Sequence, residues 1–211
     1  MRRALLVIAK APVPGRVKTR LCPPCTPAQA ARLARAALGD TLAAASRATL
    51  ADRRVLVLDG EPGGWLPPGW DVIEQRGDGL AERLADAFAR AGGPAFLVGM
   101  DTPQLTPDQL DAGLAALTTH DAVFAPAPDG GYWGIGLRVA DPNVFAGVPM
   151  SRRETGLAQR ARLAALGLDV GTLPPLRDVD TIHDARAVAD AAPDGRFAAA
   201  LDTVELALAA A

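Results

Sequence analysis

The sequence predicts a three-layer α/β fold on a mainly parallel, mixed sheet. Three observations predict it: short apolar runs bounded by Gly, Pro or Asp, helically spaced segments between them, and two Thr-Pro pairs that open such segments. Residues 4–9 read as the first strand, ended by Lys10 and a turn through Pro12, Pro14 and Gly15. Thr26 is placed to cap a helix with Pro27 at its first position, and Ala, Leu and Arg carry it to about Leu50. Strands follow at 55–58 and 72–73. Residues 78–91 read as a helix with Leu80, Leu84, Ala87 and Phe88 on one face. After a strand at 95–98, Thr106-Pro107 repeats the cap signal before a helix ending near Leu117, and 122–125 is a further strand. Residues 130–137 are too rich in glycine for a helix and alternate like a strand that crosses or caps the sheet. Helices are expected at about 153–166, 182–191 and 195–209. With no internal repeat or long linker, residues 1–211 read as one domain.

Composition narrows the function classes. A hydrophobic share of 49% with 22% charged residues describes a globular chain and excludes general disorder. Twenty-two basic against 24 acidic residues leave a net charge of −2, so no global field exists to hold a nucleic acid. No run approaches the ~20 apolar residues that span a bilayer. The start at Met1-Arg2-Arg3 resembles a signal peptide, yet its apolar run stops at Lys10 without a cleavage site, which points to the cytoplasm. Two serines, two histidines and two cysteines leave little for serine-hydrolase, multi-histidine or disulfide chemistry. Cys22-Pro23-Pro24-Cys25 has redox spacing ahead of the Thr26 cap but lacks the other half of a zinc site. His120 and His183 receive no role.

The loop after the first strand concentrates Lys10, Arg16, Lys18 and Arg20, with no acidic residue before Asp40. In an open α/β sheet this loop emerges at the carboxyl edge, where ligands bind. Gly15 lets backbone N–H groups approach an anion, and the cations can neutralise a polyphosphate. The alternative is a solvated basic loop. Against it, the chain's only two lysines both fall here, where a compact ammonium serves differently from a planar guanidinium. The spacing is not that of a Walker A loop.

Asp101 follows the strand at 95–98, and Asp178-Val179-Asp180-Thr181 sets two carboxylates on one side of an extended segment. Aspartates completed by phosphate oxygens and water make a Mg2+ or Mn2+ site. Singly, each has a plainer reading: Asp180 as a cap for the helix at Ile182, Asp101 in an Asx-turn. Asp129, Gly130, Gly131 and Tyr132 form either a floor for an acceptor or a hairpin with a buried aromatic pair. Gly77 and Gly79 flank Asp78, either in contact with a base or ribose or beside a plain Asp78 helix cap.

The order of Lys10-Ala-Pro-x-Pro-Gly15-Arg16-x-Lys18-Thr19-Arg20-Leu21, Gly99-Met100-Asp101-Thr102-Pro103, Ala125-Pro126-x-x-Asp129-Gly130-Gly131-Tyr132 and Asp178-Val179-Asp180-Thr181 resembles the family called transferase 1, radical-SAM/selenodomain-associated. The resemblance covers nearly the whole chain and implies a GT-A-type nucleotide-diphospho-sugar transferase fold. More distantly the chain resembles the 2-phospholactate and phosphoenolpyruvate guanylyltransferases. That likeness implies triphosphate-binding Arg16, Lys18 and Arg20 and metal-binding Asp101, Asp178 and Asp180. The glycine segment departs from theirs, which puts a phosphorylated carboxylic acid in doubt as acceptor. The expected activity is nucleotidyl transfer from a nucleoside triphosphate to a small phosphorylated or phosphonylated acceptor, with Arg16, Lys18 and Asp101 catalytic. Glycosyl transfer from a nucleotide sugar is the alternative, and a non-catalytic nucleotide-binding regulator the third.

Overall fold

The computed structural model describes residues 2–209. Its strands are β1 (Ala4–Lys10), β2 (Arg53–Asp59), β3 (Asp71–Glu74), β4 (Ala95–Gly99), β5 (Ala122–Pro126), β6 (Tyr132–Leu137) and β7 (Val170–Thr172). The helices are α1 (Pro27–Arg47), α2 (Leu80–Ala91), α3 (Pro107–Ala116), α4 (Thr155–Ala165), α5 (Ile182–Ala191) and α6 (Arg196–Ala209), with short 3-10 turns at Thr19–Leu21 and Pro142–Val144. One sheet runs in the order β3-β2-β1-β4-β6-β5-β7, parallel except for β6, which opposes both neighbours. The predicted mixed α/β fold is the observed one.

Alternation along the central strands divides the core. Leu5, Val7, Leu56, Leu58 and Phe96 face α1 and α3. Leu6, Val55, Val57 and Leu97 face α2 and Leu163 of α4. A third cluster, with Leu33, Val188, Phe197 and Leu201, packs α5 and α6 on the outer side of α1. Both Thr-Pro signals behave as read: Thr26 and Thr106 each accept from the backbone N–H three residues on, and Gln29 and Gln109 answer to the cap N–H.

Two expected caps are elsewhere. Gly79, not Asp78, caps α2, and the Asp78 backbone N–H is satisfied by the Glu82 carboxylate at 2.7 Å. Thr181, not Asp180, caps α5 in a box with Asp184, so Asp180 takes no part in the cap.

The glycine segment becomes β6, inside the sheet. Gly134 and Gly136 lie against the Phe96 ring, where an added Cβ would stand 2.8 and 3.1 Å from ring atoms. Pairing shifts register between Ala125 and Pro126, so Trp133 is an extra residue in the ladder. The bulge reverses the phase of alternation. Tyr132 joins Ile135 and Leu137 on one face, while Trp133 packs edge-on to Phe96 on the other, with ring centroids 5.8 Å apart.

Candidate active site

The β1–β4 pair is the point where successive connections diverge, β1 to β2 on one side and β4 on the other, the usual place for a crevice in an open α/β sheet. The loop after β1, the Met100-Asp101 turn after β4 and the β5–β6 turn all emerge at this carboxyl edge. A fourth segment arrives from β7. Leu173 N–H donates to the Phe124 carbonyl at 3.0 Å, Leu176 N–H to Pro126 at 3.2 Å and Val179 N–H to Asp101 at 2.9 Å. Trp133 Nε1 holds the same segment through the Pro174 carbonyl at 3.1 Å. The chain is thereby drawn across the sheet edge until Asp178 and Asp180 reach β4 and the β1 loop. Val179 between them is buried beside Leu21 and Cys25, which turns both carboxylates the other way.

The basic loop is not unpaired, as local sequence suggested. Arg16 lies 3.8 Å from Asp59, Lys18 Nζ 2.7 Å from Asp101 Oδ1 and Arg20 2.7 Å from Asp180 Oδ2. Lys10 has no ion-pair partner among the described residues, and Gly15 takes a left-handed φ of 78° in open space. Arg16 and Arg20 are about two-thirds exposed, whereas the Lys18 side chain is 8% exposed and also donates to the Val179 carbonyl. Three carboxylates therefore lie within reach of three loop cations.

Asp101, Asp129, Asp178 and Asp180 share one electrostatic neighbourhood. The Asp178 carboxyl is pushed up to about 7, by burial first and then by the charges of Asp101, Asp129 and Asp180, with Lys18 opposing them. Asp129 accepts from the Gly131 N–H at 2.9 Å. Gly130, at φ 93°, touches the Arg153 carbonyl so closely that no Cβ fits, and its own carbonyl accepts from Gly156 N–H at 2.8 Å. The turn is thus docked on the start of α4. Tyr132 does not line the crevice: its ring packs on Phe124 with centroids 5.4 Å apart, and burial holds its phenol above the usual range. The hairpin with buried aromatics describes this segment, with Asp129 alone reaching the carboxylate group.

Gly77 and Gly79 sit at the end of β3, two strands from β1. Gly77, at φ 126°, leaves no room for a Cβ against Glu82 and Arg83. The link from here to the crevice escaped the sequence reading. Gln75 Nε2 donates to the Ala9 carbonyl at 2.7 Å, its Oε1 accepts from Arg83 at 3.2 Å, and Arg83 lies 3.5 Å from Asp59, which also meets Arg16. Asp59 ends a strand and Gln75 follows one, a position that signals little without knowledge of strand order.

Among the described residues no three His, Cys, Asp or Glu side chains stand close enough to hold a metal ion. Asp180 is turned to Arg20, so the expected Asp101, Asp178 and Asp180 triad is not assembled. The donor chemistry still fits a hard divalent cation. Asp101 and Asp178 are oxygen donors from two segments, in a place where like charge already opposes ionisation of Asp178.

A family model described as an uncharacterized protein conserved in bacteria, DUF2064, matches residues 28–152, more than half of the chain. The chain belongs to this family. The DUF2064 match begins after the basic loop and ends before Asp178, so both flanking site segments lie outside it. A crystal structure of a candidate nucleotide-diphospho-sugar transferase from Desulfovibrio desulfuricans G20 is similar over 99% of this chain and 97% of that one, with a TM-score of 0.88 and 27% identity. CMP:2-keto-3-deoxy-manno-octonic acid synthetase complexed with CTP shares the fold at a TM-score of 0.60 and 12% identity, over 92% of this chain and all of that one. The manganese complex of Rv0371c from Mycobacterium tuberculosis H37Rv shares it at 0.55 and 23%, over 90% and 98%. The fold is that of the candidate nucleotide-diphospho-sugar transferase, and the other two structures share it. The tryptophan synthase alpha chain of Acidothermus cellulolyticus is 32% identical over 140 residues, 58% of this chain and 50% of that protein, so the DUF2064 chain spans about half the length of this curated relative.

Proposed function

We propose that this protein is a divalent-metal-dependent, nucleotide-using transferase that moves a nucleotidyl group from a nucleoside triphosphate to a small phosphorylated or phosphonylated acceptor, releasing pyrophosphate. One observation carries the reading: beside Asp101 and Asp178 at the carboxyl edge, the exposed guanidiniums of Arg16 and Arg20 stand 3.8 Å from Asp59 and 2.7 Å from Asp180, carboxylates that a polyphosphate can replace. The CTP complex of the synthetase with this fold and the manganese complex of Rv0371c support it. The whole chain, 1–211, acts as one cytoplasmic domain in this reading.

An acceptor oxygen attacks the α-phosphorus while the bond to the pyrophosphate oxygen breaks. Arg16, Arg20 and Lys10 bind and orient the triphosphate tail and stabilise the negative charge that develops on the leaving group. Asp101 and Asp178 would hold Mg2+ or Mn2+, which would supply positive charge against the charge developing on the triphosphate. The Gln75, Asp59 and Arg83 chain, with Gly77 and Gly79, borders the nucleoside end, and Asp129 with Gly130 and Gly131 borders the acceptor.

Glycosyl transfer is the second reading, favoured by the likeness to the candidate nucleotide-diphospho-sugar transferase of Desulfovibrio desulfuricans G20. Against it, a triphosphate tail needs more cations than a sugar diphosphate, and Asp101-Thr102-Pro103 offers one carboxylate where an Asp-x-Asp pair would offer two. Identity over half of a tryptophan synthase chain transfers no activity, because function resides in a site. The test incubates the chain with each nucleoside triphosphate, Mg2+ or Mn2+ and a panel of phosphorylated and phosphonylated acceptors. Pyrophosphate and a nucleotide-linked product are expected with one pair. Turnover of nucleotide sugars alone would establish the second reading, and no turnover of either donor would leave a nucleotide-binding regulator.

A further inference from the structure

Lys18 differs from every other cation of its loop. Arg16 and Arg20 extend into solvent, whereas the Lys18 side chain is 8% exposed and sits inside the carboxylate group. Its backbone takes the left-handed conformation, φ 49° and ψ 38°, which non-glycine residues adopt rarely, and that turn directs the side chain inward. The ammonium meets Asp101 Oδ1 at 2.7 Å and the Val179 carbonyl, while the Asp101 carbonyl accepts from Val179 N–H at 2.9 Å. One side chain thus ties the β1 loop, the turn after β4 and the 178–180 segment together.

A compact point charge with three donors can satisfy a carboxylate and a carbonyl at once and keep one donor spare, which a planar guanidinium in this space cannot match. It also sets a positive charge directly against Asp101, one of the two carboxylates that would hold a divalent cation. We propose that Lys18 is a built-in counter-cation of the carboxylate group, so that a divalent ion loads onto Asp101 at the expense of the Lys18 ammonium. The released ammonium is then free for an incoming phosphate, which couples metal loading to nucleotide binding. This inference rests on the transferase reading above, and it makes Lys18 a positioning residue before it is a phosphate ligand.

The test measures Mn2+ binding to the full chain without nucleotide, by paramagnetic resonance of free Mn2+. Lys18→Gln, whose amide still reaches toward the Val179 carbonyl, is expected to bind Mn2+ at least tenfold more tightly than the wild type, and Lys18→Arg is expected to show no gain. The gain should vanish in Lys18→Gln/Asp101→Asn. An unchanged or weaker Mn2+ affinity in folded Lys18→Gln overturns the proposal. Should that variant fail to fold, the wild type serves. With two lysines in the chain, acetylation of Lys18 is read against Lys10 by mass spectrometry, and saturating Mn2+ should raise the Lys18 to Lys10 ratio. An unchanged ratio overturns the displacement. Mn2+-dependent pyrophosphate release alongside either negative result would leave the transferase reading intact and remove only the Lys18 lock.

Discussion

Asp178 is the residue where the charge balance of the site can be read without a substrate. Its carboxyl rises to about 7 because burial and then the charges of Asp101 and Asp129 oppose ionisation. A carboxyl raised in the folded state favours the protonated form there, so the fold is favoured at acid pH and loses that advantage as pH climbs from about 4 through about 7. Three pH units of difference correspond to at most about 4 kcal/mol, and partial solvent access reduces this. Metal-free protein in chelator should therefore unfold at progressively lower denaturant between pH 5 and 7.5, with the slope removed in Asp178→Asn. A flat profile in the wild type would mean that the four carboxylates do not share one neighbourhood. None of this was legible from local sequence. The basic loop looked unpaired because its carboxylate partners are distant; Arg20 and Asp180 are 160 positions apart, and only the strand order brings them together.

At the scale of elements, the strongest local signals were the most faithful. The Thr-Pro caps, the helix at 182–191 and the apolar runs at β1, β2, β4 and β5 emerged where the sequence placed them, because capping and burial act within a few residues. β7 went unread: three residues without alternation carry no period. The glycine segment was legible as a strand, but its role was not. Gly134 and Gly136 serve the Phe96 ring, and the Trp133 bulge aims Nε1 at the Pro174 carbonyl and so helps hold the segment that delivers Asp178. Gly134→Val would place its Cβ 2.8 Å from Phe96 Cζ in a fully buried slot. Overpacking of this kind costs about 1–3 kcal/mol. A fall in the urea midpoint with an unchanged slope is the expected result; unaltered stability would show that the ring has room to move.

At the scale of the whole molecule, the site is joined by segments far apart in the chain, residues 10–20 and 173–180, which meet through Lys18 with Asp101 and Val179 and through Arg20 with Asp180. A ligand that engages both segments adds its binding energy to an association already present, so it should raise global stability. At ~100 times its dissociation constant such a ligand adds ~2.7 kcal/mol. In a chain of this size that is a melting shift of roughly 5–11 °C. The shift should appear for one nucleoside triphosphate with Mg2+ and shrink strongly in Arg20→Ala, while the corresponding nucleoside, lacking the tail, should give a small shift that Arg20→Ala leaves alone. Equal losses for triphosphate and nucleoside would take Arg20 out of the phosphate site. A shift produced by a nucleotide sugar and by no triphosphate would transfer the same site to glycosyl chemistry, because the carboxylates proposed to hold the metal would suit the phosphates of either donor.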